Sequence, residues 1–391
     1  MKPIIFHIDV NNAFLSWTAV NILKTGSKKD IRLEYSVIGG NEHSRQGIVL
    51  ARSPLAKEKG IKTGETLYEA RKKYPYLKVY PPEYDLYQQK SKEFFLFLKS
   101  FTPDLEIYSI DECFFNYSSI KHLYGEEIDF AHYLKDKVNK TLGFTVNIGI
   151  SNNKLLAKMA SNFKKPNLVH TLYKEEIPLK MWPLPVSNLF GVGPKTTKKL
   201  NQLKIKTIKD LALANELILI KYFKNQAKVL IEKANGIDES KIITNQKVSK
   251  GISQSLTLKY DLTTTLEIMK VINKMADNLA LKLRTEKRYA AVISVILKDT
   301  SFKTTSFQLK IKNPTNNAKK ISQVAKMLLH KRWNKKPVRL VGLRLDKLVT
   351  KVNYQLSFFD NFEKHLEITK LDQVLDQLKN KHGQNIIKKG N

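Results

Sequence analysis

Apolar positions in the first 165 residues follow the periods of both strands and helices. An apolar run at 4–10 predicts a buried strand, and the alternation over 144–150 predicts a strand with one buried face. Helical spacing of apolar residues predicts helices at 13–23, 86–101 and 127–141. Because strands and helices are mixed throughout this half, the predicted fold class is α+β.

Polar residues mark where several of these elements begin or end. Asn11 and Asn12 are suited to cap the helix at 13–23, and Ser151 is suited to cap the next predicted helix, which stops before Pro166. The apolar stretches 105–110 and 113–117 predict two strands on either side of an acidic pair.

The rest of the chain changes character twice. Residues 166–235 are mostly helical in pattern, and 236–245 is typical of a linker. Strand patterns return over 246–350 with two helical stretches, and a last amphipathic helix is expected at about 368–380 in the tail. The strands are expected at 252–260, 290–298, 305–311 and 338–348, with the two helices near 265–284 and 316–333. A further short helix is expected near 54–59, in the first half of the chain.

The charge of the chain narrows the classes of function. Its 391 residues carry 68 Lys and Arg against 36 Asp and Glu, a net charge of +32. Residues 244–350 alone hold 23 basic and 6 acidic side chains. A composition bias toward Lys is one explanation, and a surface that binds the phosphates of a nucleic acid is the other. An ordinary neutral metabolic enzyme is not the default for such a sequence.

Cysteine content and hydropathy bound the location of the protein. The single cysteine, Cys113, allows no internal disulfide and excludes a secreted disulfide scaffold. No run of 18 apolar residues is present, and His7 and Asp9 interrupt the N-terminus too early for a signal peptide. We therefore expect a cytoplasmic protein with no membrane partner.

Three carboxylates are the first candidates for chemistry. Asp9 ends an apolar strand, and Asp111 and Glu112 lie together between two others. Each alone would be read as an ordinary strand-end acid, but three in apolar surroundings need a cation to offset them. Neighbouring strand residues face opposite ways, so Asp111 and Glu112 share a site only at a hairpin turn or a bulge. Oxygen ligands suit Mg²⁺ or Mn²⁺, which indicates nucleotidyl transfer or a nuclease.

Four motifs around these residues resemble those of the Y-family DNA polymerases, the DinB/UmuC type that copies past damaged bases. Ser109-Ile110-Asp111-Glu112 matches the family's S-[IV]-D-E motif, and the segment from Asp9 to Phe14 resembles its first palm motif. Residues 149–158 resemble its G-I-[SA]-x-[NS]-K-x-x-A-K motif, and Lys165-Pro166-Asn167 matches K-P-[ND]. The order and spacing hold over about 1–350.

The resemblance implies a right-hand polymerase with palm, small fingers, a helical thumb and a C-terminal α+β little-finger domain. The implied boundaries are 1–30 and 77–166 for the palm, 31–76 for the fingers, 167–235 for the thumb, 236–245 for the linker, 246–350 for the little finger and 351–391 for the tail.

The resemblance also implies roles in catalysis. Asp9, Asp111, Glu112 and the Val10 carbonyl would hold two Mg²⁺ ions, for which Mn²⁺ can substitute. Phe14 would be the steric gate that excludes a ribose 2′-hydroxyl; a core aromatic is the alternative. The triphosphate would be held by Ser53, Lys57 and Lys165.

The chain departs from the family pattern at three points. Ala51 to Lys57 is closer to the UmuC-like version, which lacks the usual Tyr and Arg of the phosphate-binding region, and Ala13 replaces an aromatic residue beside the gate. Asn11 stands where some members carry a second Asp, and we do not assign it to the metal.

A glycine-rich segment at 189–196 resembles a helix-hairpin-helix contact to DNA. Its two glycines allow the backbone to approach a phosphate, and a proline can open a helix whose amides point at the anion. A simple glycine-rich connection is the alternative. The expected DNA contacts are Gly191, Gly193, Lys195, Lys198, Lys287, Arg288, Arg339 and Arg344.

The tail contains a peptide similar to the one by which such polymerases bind the bacterial sliding clamp, with packing on its own domain as the alternative. It comprises Gln355, Leu356, Ser357, Phe358 and Phe359. Aliphatic and aromatic anchors on a short extended segment suit a surface groove.

The function expected from all of this is template-directed DNA synthesis of low fidelity. The enzyme would add a dNTP to the 3′-hydroxyl of a primer–template DNA during translesion synthesis, DNA repair and damage-induced mutagenesis. A monomer is expected, and the need for an accessory subunit, as in UmuC-type enzymes, stays open. A nucleotide cyclase on a palm-like fold and a non-catalytic clamp- and DNA-binding protein are the alternatives.

Overall fold

The computed structural model describes residues 3–41, 45, 47–244 and 249–351, with the single positions 374, 378 and 381. The chain divides into two compact units. The N-terminal unit comprises 1–43 and 47–246, and the C-terminal unit comprises 44–46 and 247–391. Domain boundaries finer than these two units stay predictions.

The N-terminal unit contains eight strands among its described residues. They are β1 (Ile5–Val10), β2 (Ser36–Gly39), β3 (Val49–Arg52), β4 (Lys78–Tyr80), β5 (Leu105–Ile107), β6 (Glu112–Asn116), β7 (Val146–Ser151) and β8 (Val169–Thr171). The helices are α1 (Ala13–Lys24), α2 (Pro54–Glu58), α3 (Leu67–Lys73), α4 (Tyr84–Lys99), α5 (Lys121–Tyr124), α6 (Glu127–Leu142), α7 (Lys154–Ser161), α8 (Pro194–Gln202), α9 (Ile208–Ala212), α10 (Glu216–Phe223) and α11 (Gln226–Ala234). Short 3₁₀ or π turns lie at Ile31–Leu33, Lys174–Glu176, Ile177–Met181 and Val186–Asn188.

A five-stranded sheet in the order β5-β6-β1-β7-β8 forms the centre of this unit. Only β7 and β8 run parallel; the other pairs are antiparallel. Apolar side chains of α1, α4 and α6 pack with the sheet into one large core. A smaller sheet in the order β3-β2-β4 has its own core with α2 and α3, and α8 to α11 surround a third.

Strand β7 corrects one prediction. Its alternating sequence predicts one exposed face, but all six of its residues are buried. It lies between β1 and β8, with the main core on one face and α7 on the other. A side chain at Gly149 would collide with the backbone of α7, so this glycine allows the close approach.

Two expected helix caps are also wrong. Asn12 precedes α1 in a left-handed conformation, φ 49°, and its side chain makes no capping hydrogen bond. Ser151 belongs to β7, where its hydroxyl donates to the carbonyl of Leu172. Asn153 caps α7 instead, by accepting from the amide of Leu156 at 2.8 Å.

The C-terminal unit is a second α+β structure. Its strands are β9 (Gly251–Leu262), β10 (Tyr289–Asp299), β11 (Thr304–Thr315) and β12 (Val338–Val349), and its helices are α12 (Thr265–Thr285) and α13 (Ala318–Arg332). The strands form an antiparallel sheet in the order β11-β10-β12-β9. Both helices share one apolar core with the sheet. The predicted α+β class is confirmed in both units.

Candidate active site

The three carboxylates meet at one end of the central sheet. Asp9 is the fifth of six residues of β1 and pairs in register with Glu112, the first residue of β6. Opposed residues of antiparallel strands have Cα atoms about 4.5–5.5 Å apart. The amide of Val10 donates to the carbonyl of Asp111 at 3.0 Å, which brings the third acid to the same edge.

A hairpin turn presents Asp111 and Glu112 together. Strands β5 and β6 pair antiparallel, and the amides of Tyr108 and Ser109 both donate to the carbonyl of Glu112, at 3.0 and 3.1 Å. The Ser109 hydroxyl donates to the Asp111 carboxylate at 2.6 Å. The hairpin expected between the two apolar stretches is therefore confirmed. The turn places Asp111 just before β6 and Glu112 at the first position of β6.

Burial and neighbouring charges shift the pKa of the Asp111 carboxyl. Burial raises the pKa of this carboxyl above its usual value, and the Asp9 and Glu112 carboxylates raise it further, against the Ser109 hydrogen bond that lowers it. The repulsion shows that the three acids share one electrostatic environment. A cation placed among them would relieve that repulsion.

Basic side chains hold the two carboxylates on the strands. Lys165 Nζ donates to Asp9, and Lys158 Nζ donates to Glu112. His7 Nε2 also lies 3.1 Å from Glu112 Oε2. Consistent with these pairings, no three His, Cys, Asp or Glu of the described residues are arranged as a metal-ligand set.

The donor chemistry nevertheless suits a hard divalent cation. Three carboxylates and the Val10 carbonyl supply oxygen atoms only, which Mg²⁺ and Mn²⁺ prefer. The residues present fit such ions, provided that the lysines give up their carboxylate partners.

The pKa of Glu112 is strongly lowered. Burial of the carboxyl raises its pKa, but hydrogen bonds from His7 and Lys158 and the Lys158 charge outweigh that effect and bring the pKa to about 2. The ionised carboxylate therefore stabilises the fold fully above the unfolded-state pKa, near 4.5, and this stabilisation is lost as the pH falls toward 2.

We expect Lys158→Met to raise the pKa of Glu112 toward 4.5, because methionine keeps the length of the side chain without its charge. Carbon-13 NMR of the carboxyl groups in metal-free protein measures the shift. Lys154→Met is the matched control, since the Lys154 ammonium lies on the same helix but pairs with Glu106. An unchanged Glu112 pKa in Lys158→Met would contradict the assignment.

The structure places the four residues predicted to bind nucleotide in different environments. Phe14 lies half-buried on α1 and stacks on Tyr87, with ring centroids 4.5 Å apart. Lys57 is exposed on α2, and Lys165 is one-third exposed beside Asp9. Ser53 is fully buried, and its hydroxyl oxygen accepts the Ser36 and Ala56 amides as the cap of α2. In this conformation the Ser53 hydroxyl is occupied by these two amides and is not exposed to solvent. Its contact with a triphosphate stays a prediction.

The glycine-rich hairpin has the backbone that its sequence predicts. Gly191 adopts φ +95°, a conformation that favours glycine, and nothing lies near the position of a Cβ on Gly193. Gly193 directly precedes α8, whose first residue is Pro194. Lys195 and Lys198 are exposed on that helix, so their ammonium groups lie near its N-terminal end in contact with solvent.

The basic residues predicted in the C-terminal unit do not form one uniform surface. Lys287 and Arg344 are exposed, and Arg344 pairs with Asp346 at 2.7 and 2.9 Å. Arg339 lies over the ring of Phe302. Arg288 is buried, with its guanidinium bonded to Ser249, and its contact with DNA stays a prediction.

Two of these cations, Arg288 and Arg344, line one cavity. It has a volume of about 720 Å³, and its basic lining residues are Lys250, Arg288, Lys310, Arg344 and Lys347. Asp346 is the acidic residue in the lining. Such a cavity attracts anions.

Sequence reasoning assigned no role to His7, Lys158 or Asn147. His7 and Asp9 are two apart on β1 and share a face, which was a readable signal. Lys158 is the last residue of the motif at 149–158. Nothing in the sequence around Asn147 indicated a functional role for it.

The tail predictions cannot be placed. The peptide 355–359 lies outside the described residues, as does most of the predicted helix at 368–380. Of that helix, only positions 374 and 378 are described, both helical. Among the described residues, no helix is long and apolar enough to cross a membrane.

Comparison with known families matches three parts of the chain. The impB/mucB/samB family matches residues 8–162, and the C-terminal domain of the same family matches 249–358. The IMS family HHH motif matches 174–205, which includes the glycine-rich hairpin.

Comparison with whole proteins gives relatives of similar length. A DNA polymerase IV of Clostridium acetobutylicum is 46% identical over 99% of this chain and 97% of its own length. A DNA polymerase IV of Bacillus velezensis is 33% identical over 99% of this chain and 92% of its own. A solved Y-family DNA polymerase chimera, 21% identical, superposes with a TM-score of 0.76 over 89% of this chain and all of that one. The chain therefore belongs to the impB/mucB/samB family, as DNA polymerase IV relatives over almost its whole length support, and it has the fold of a Y-family DNA polymerase.

Proposed function

We propose that the chain is a DNA-directed DNA polymerase that performs translesion synthesis with Asp9, Asp111 and Glu112 as its catalytic carboxylates. Its membership of the family supports the polymerase activity. The observation that carries the residue assignment is the register of the central sheet, which sets Asp9 opposite Glu112 with Asp111 in the adjoining turn.

The carboxylates would hold the divalent ions on which polymerases of this family depend. Asp9, Asp111, Glu112 and the Val10 carbonyl are the residues that would bind two Mg²⁺ or Mn²⁺ ions. When bound, the ions lower the pKa of the attacking hydroxyl and stabilise the charge on the leaving oxygen. The role of the protein is to keep the carboxylates ionised and close together, which the low pKa of Glu112 favours.

Two lysines would bind the triphosphate of the incoming dNTP. Lys165 Nζ is one-third exposed and pairs with Asp9, so it can exchange this partner for a phosphate without a large movement of the backbone. Lys57 is exposed on α2. Opposite charges would orient the α-phosphate toward the primer 3′-hydroxyl, whose attack releases pyrophosphate.

Phe14 would select the sugar. Its ring is packed face to face on Tyr87, and this stacking restricts its movement. A restricted ring beside the sugar would clash with a ribose 2′-hydroxyl.

Two basic regions would bind primer–template DNA. The hairpin at Gly191 and Gly193 exposes amides at the start of α8, which suits a backbone phosphate. In the C-terminal unit, the cavity lined by basic side chains would attract phosphates, with Arg344 at its exposed side and Arg288 supporting its buried part. Lys287 and Arg339 would add to this attraction. Contacts of this kind do not read sequence, as copying of any template requires.

We expect deletion of residues 355–359 to abolish binding to the bacterial sliding clamp and to spare basal primer extension, because the peptide contains none of the residues proposed to bind metal, nucleotide or DNA. Surface plasmon resonance on immobilised clamp, with extension on short primers in parallel, measures both. A variant with the same length of tail but scrambled 355–359 controls for shortening. Persistent clamp binding would place the contact elsewhere.

Primer extension by the full chain with dNTPs and Mg²⁺ tests the proposal as a whole. We expect the nucleotide complementary to the template to be added, and extension to continue past a damaged template base. A nucleotide cyclase would release cyclic nucleotide without DNA, and a binding module would bind DNA without extending it. Either result would overturn the proposal. A monomeric state and a cytoplasmic location stay predictions, and the need for an accessory subunit stays open.

A further inference from the structure

Two buried asparagines, Asn11 and Asn147, lie next to Asp9 in the central sheet. Asn147 on β7 is the cross-strand neighbour of Asp9, on the side opposite Glu112. It is 0% exposed, and Asn11, two residues beyond Asp9, is 6% exposed. Asn11 Nδ2 donates to Asn147 Oδ1 at 3.1 Å.

The two amides bind the loop that carries Lys165. Asn147 Nδ2 donates to the carbonyls of Ser161 and Lys164, at 3.2 and 2.6 Å. Asn147 Oδ1 accepts the amide of Leu168 at 3.3 Å. Asn11 Oδ1 accepts the amide of Asn167 at 2.9 Å. These four backbone contacts lie on both sides of Lys165.

The hydrogen-bond partners determine which way each amide points. Turning the Asn147 amide over would set its oxygen against two carbonyl oxygens and its N–H groups against an N–H group. All the donors and acceptors of this side chain are satisfied in the observed orientation. An aspartate of the same size lacks the two donors, so it could not hold Ser161 and Lys164.

We propose that Asn147, assisted by Asn11, is a positioning residue that fixes the Lys165 loop at the distance from Asp9 that triphosphate binding needs. The inference rests on the proposed role of Lys165. Neither asparagine touches substrate; each acts through the backbone of the loop.

Nucleotide affinity measured without turnover tests the inference. The full chain is bound to primer–template DNA with a dideoxy-terminated primer, and the dNTP complementary to the template is titrated by fluorescence. We expect Asn147→Asp to raise the Kd for dNTP about tenfold, as expected when two buried hydrogen bonds are lost. The Kd for DNA should stay within about twofold, because the loop binds nucleotide and not the duplex.

Combining variants separates positioning from a general loss of structure. Lys165→Ala should also weaken dNTP binding, and Asn147→Asp should add little in that background, because both act through one ammonium group. Asn235→Ala is the matched control: its amide donates to the carbonyls of Ala212 and Ile231, at 3.2 and 3.0 Å, far from this loop in sequence. It should leave dNTP affinity unchanged.

Each outcome decides between the two levels of the proposal. If Lys165→Ala weakens dNTP binding and Asn147→Asp does not, the positioning inference fails and the role of Lys165 stands. The positioning inference also fails if the increases in the Kd for dNTP caused by Asn147→Asp and Lys165→Ala multiply in the double variant. If Lys165→Ala has no effect, both fail. Should Asn147→Asp not fold, Asn11→Ala replaces it, since it removes one anchor only, and an unchanged dNTP affinity there overturns the inference.

Discussion

Asp111→Asn is expected to reduce primer extension by roughly 10³-fold or more, since the loss of one carboxylate from a two-metal site removes several kcal/mol of transition-state stabilisation. The change is isosteric, and the Ser109 hydroxyl can still donate to the remaining oxygen. We therefore expect the fold and the affinity for DNA to be retained. Single-turnover extension and fluorescence anisotropy measure the two properties.

The control for this variant is a carboxylate in the same hairpin that is away from the site. Asp104 is half-buried just before β5 and accepts a hydrogen bond from the Asn116 amide at 3.4 Å. Asp104→Asn should extend primers at close to the wild-type rate. Near-normal extension by Asp111→Asn would remove Asp111 from the catalytic set. Loss of DNA binding in that variant would show that its effect is structural.

Phe14→Ala is expected to raise the incorporation of ribonucleotides relative to deoxyribonucleotides by roughly ten- to a hundredfold. Removal of the ring opens space next to Tyr87 where a 2′-hydroxyl would be accommodated, and differences of one small group in a pocket have effects of this size. The ratio of kcat/KM for matched rNTP and dNTP measures the change.

Loss of an aromatic ring also weakens the core, so sugar selection needs a separate control. Phe97 is a partly buried residue packed on the same core, near the end of α4. Phe97→Ala should lower the free energy of unfolding and leave sugar selection unchanged. The gate assignment fails if Phe14→Ala discriminates against ribonucleotides as strongly as the wild type does.

The local pattern of apolar and polar residues was sufficient to predict most of the helices and strands. The strand at 5–10, the helix after it and the four long strands of the C-terminal unit lie within a few residues of their predicted bounds. The errors occur where a neighbouring element changes the environment. Packing of α7 buries the face of β7 that its polar residues predicted to be exposed.

Arg288 and Ser53 show that the sequence pattern also does not predict which polar side chains are buried. Arginine and serine are usually exposed, and both residues were predicted to contact ligands. The structure buries each of them against backbone groups that they bind. The Ala56 amide is a local helix-cap partner of Ser53, but a sequence pattern does not contain the contacts with Ser36 and Ser249, because these residues are distant in the chain.

By itself, the sequence determined the elements, the basic C-terminal half and the presence of three acids in motifs that identify a polymerase family. These properties are local, since they follow from periodicity, composition and short spacing. Only the tertiary structure decided which groups hold the acids. Lys165 lies 156 residues from Asp9, and Asn147 lies 136 from Asn11. Contacts over such separations are set by strand register and by helix packing on the sheet, which residue spacing does not encode.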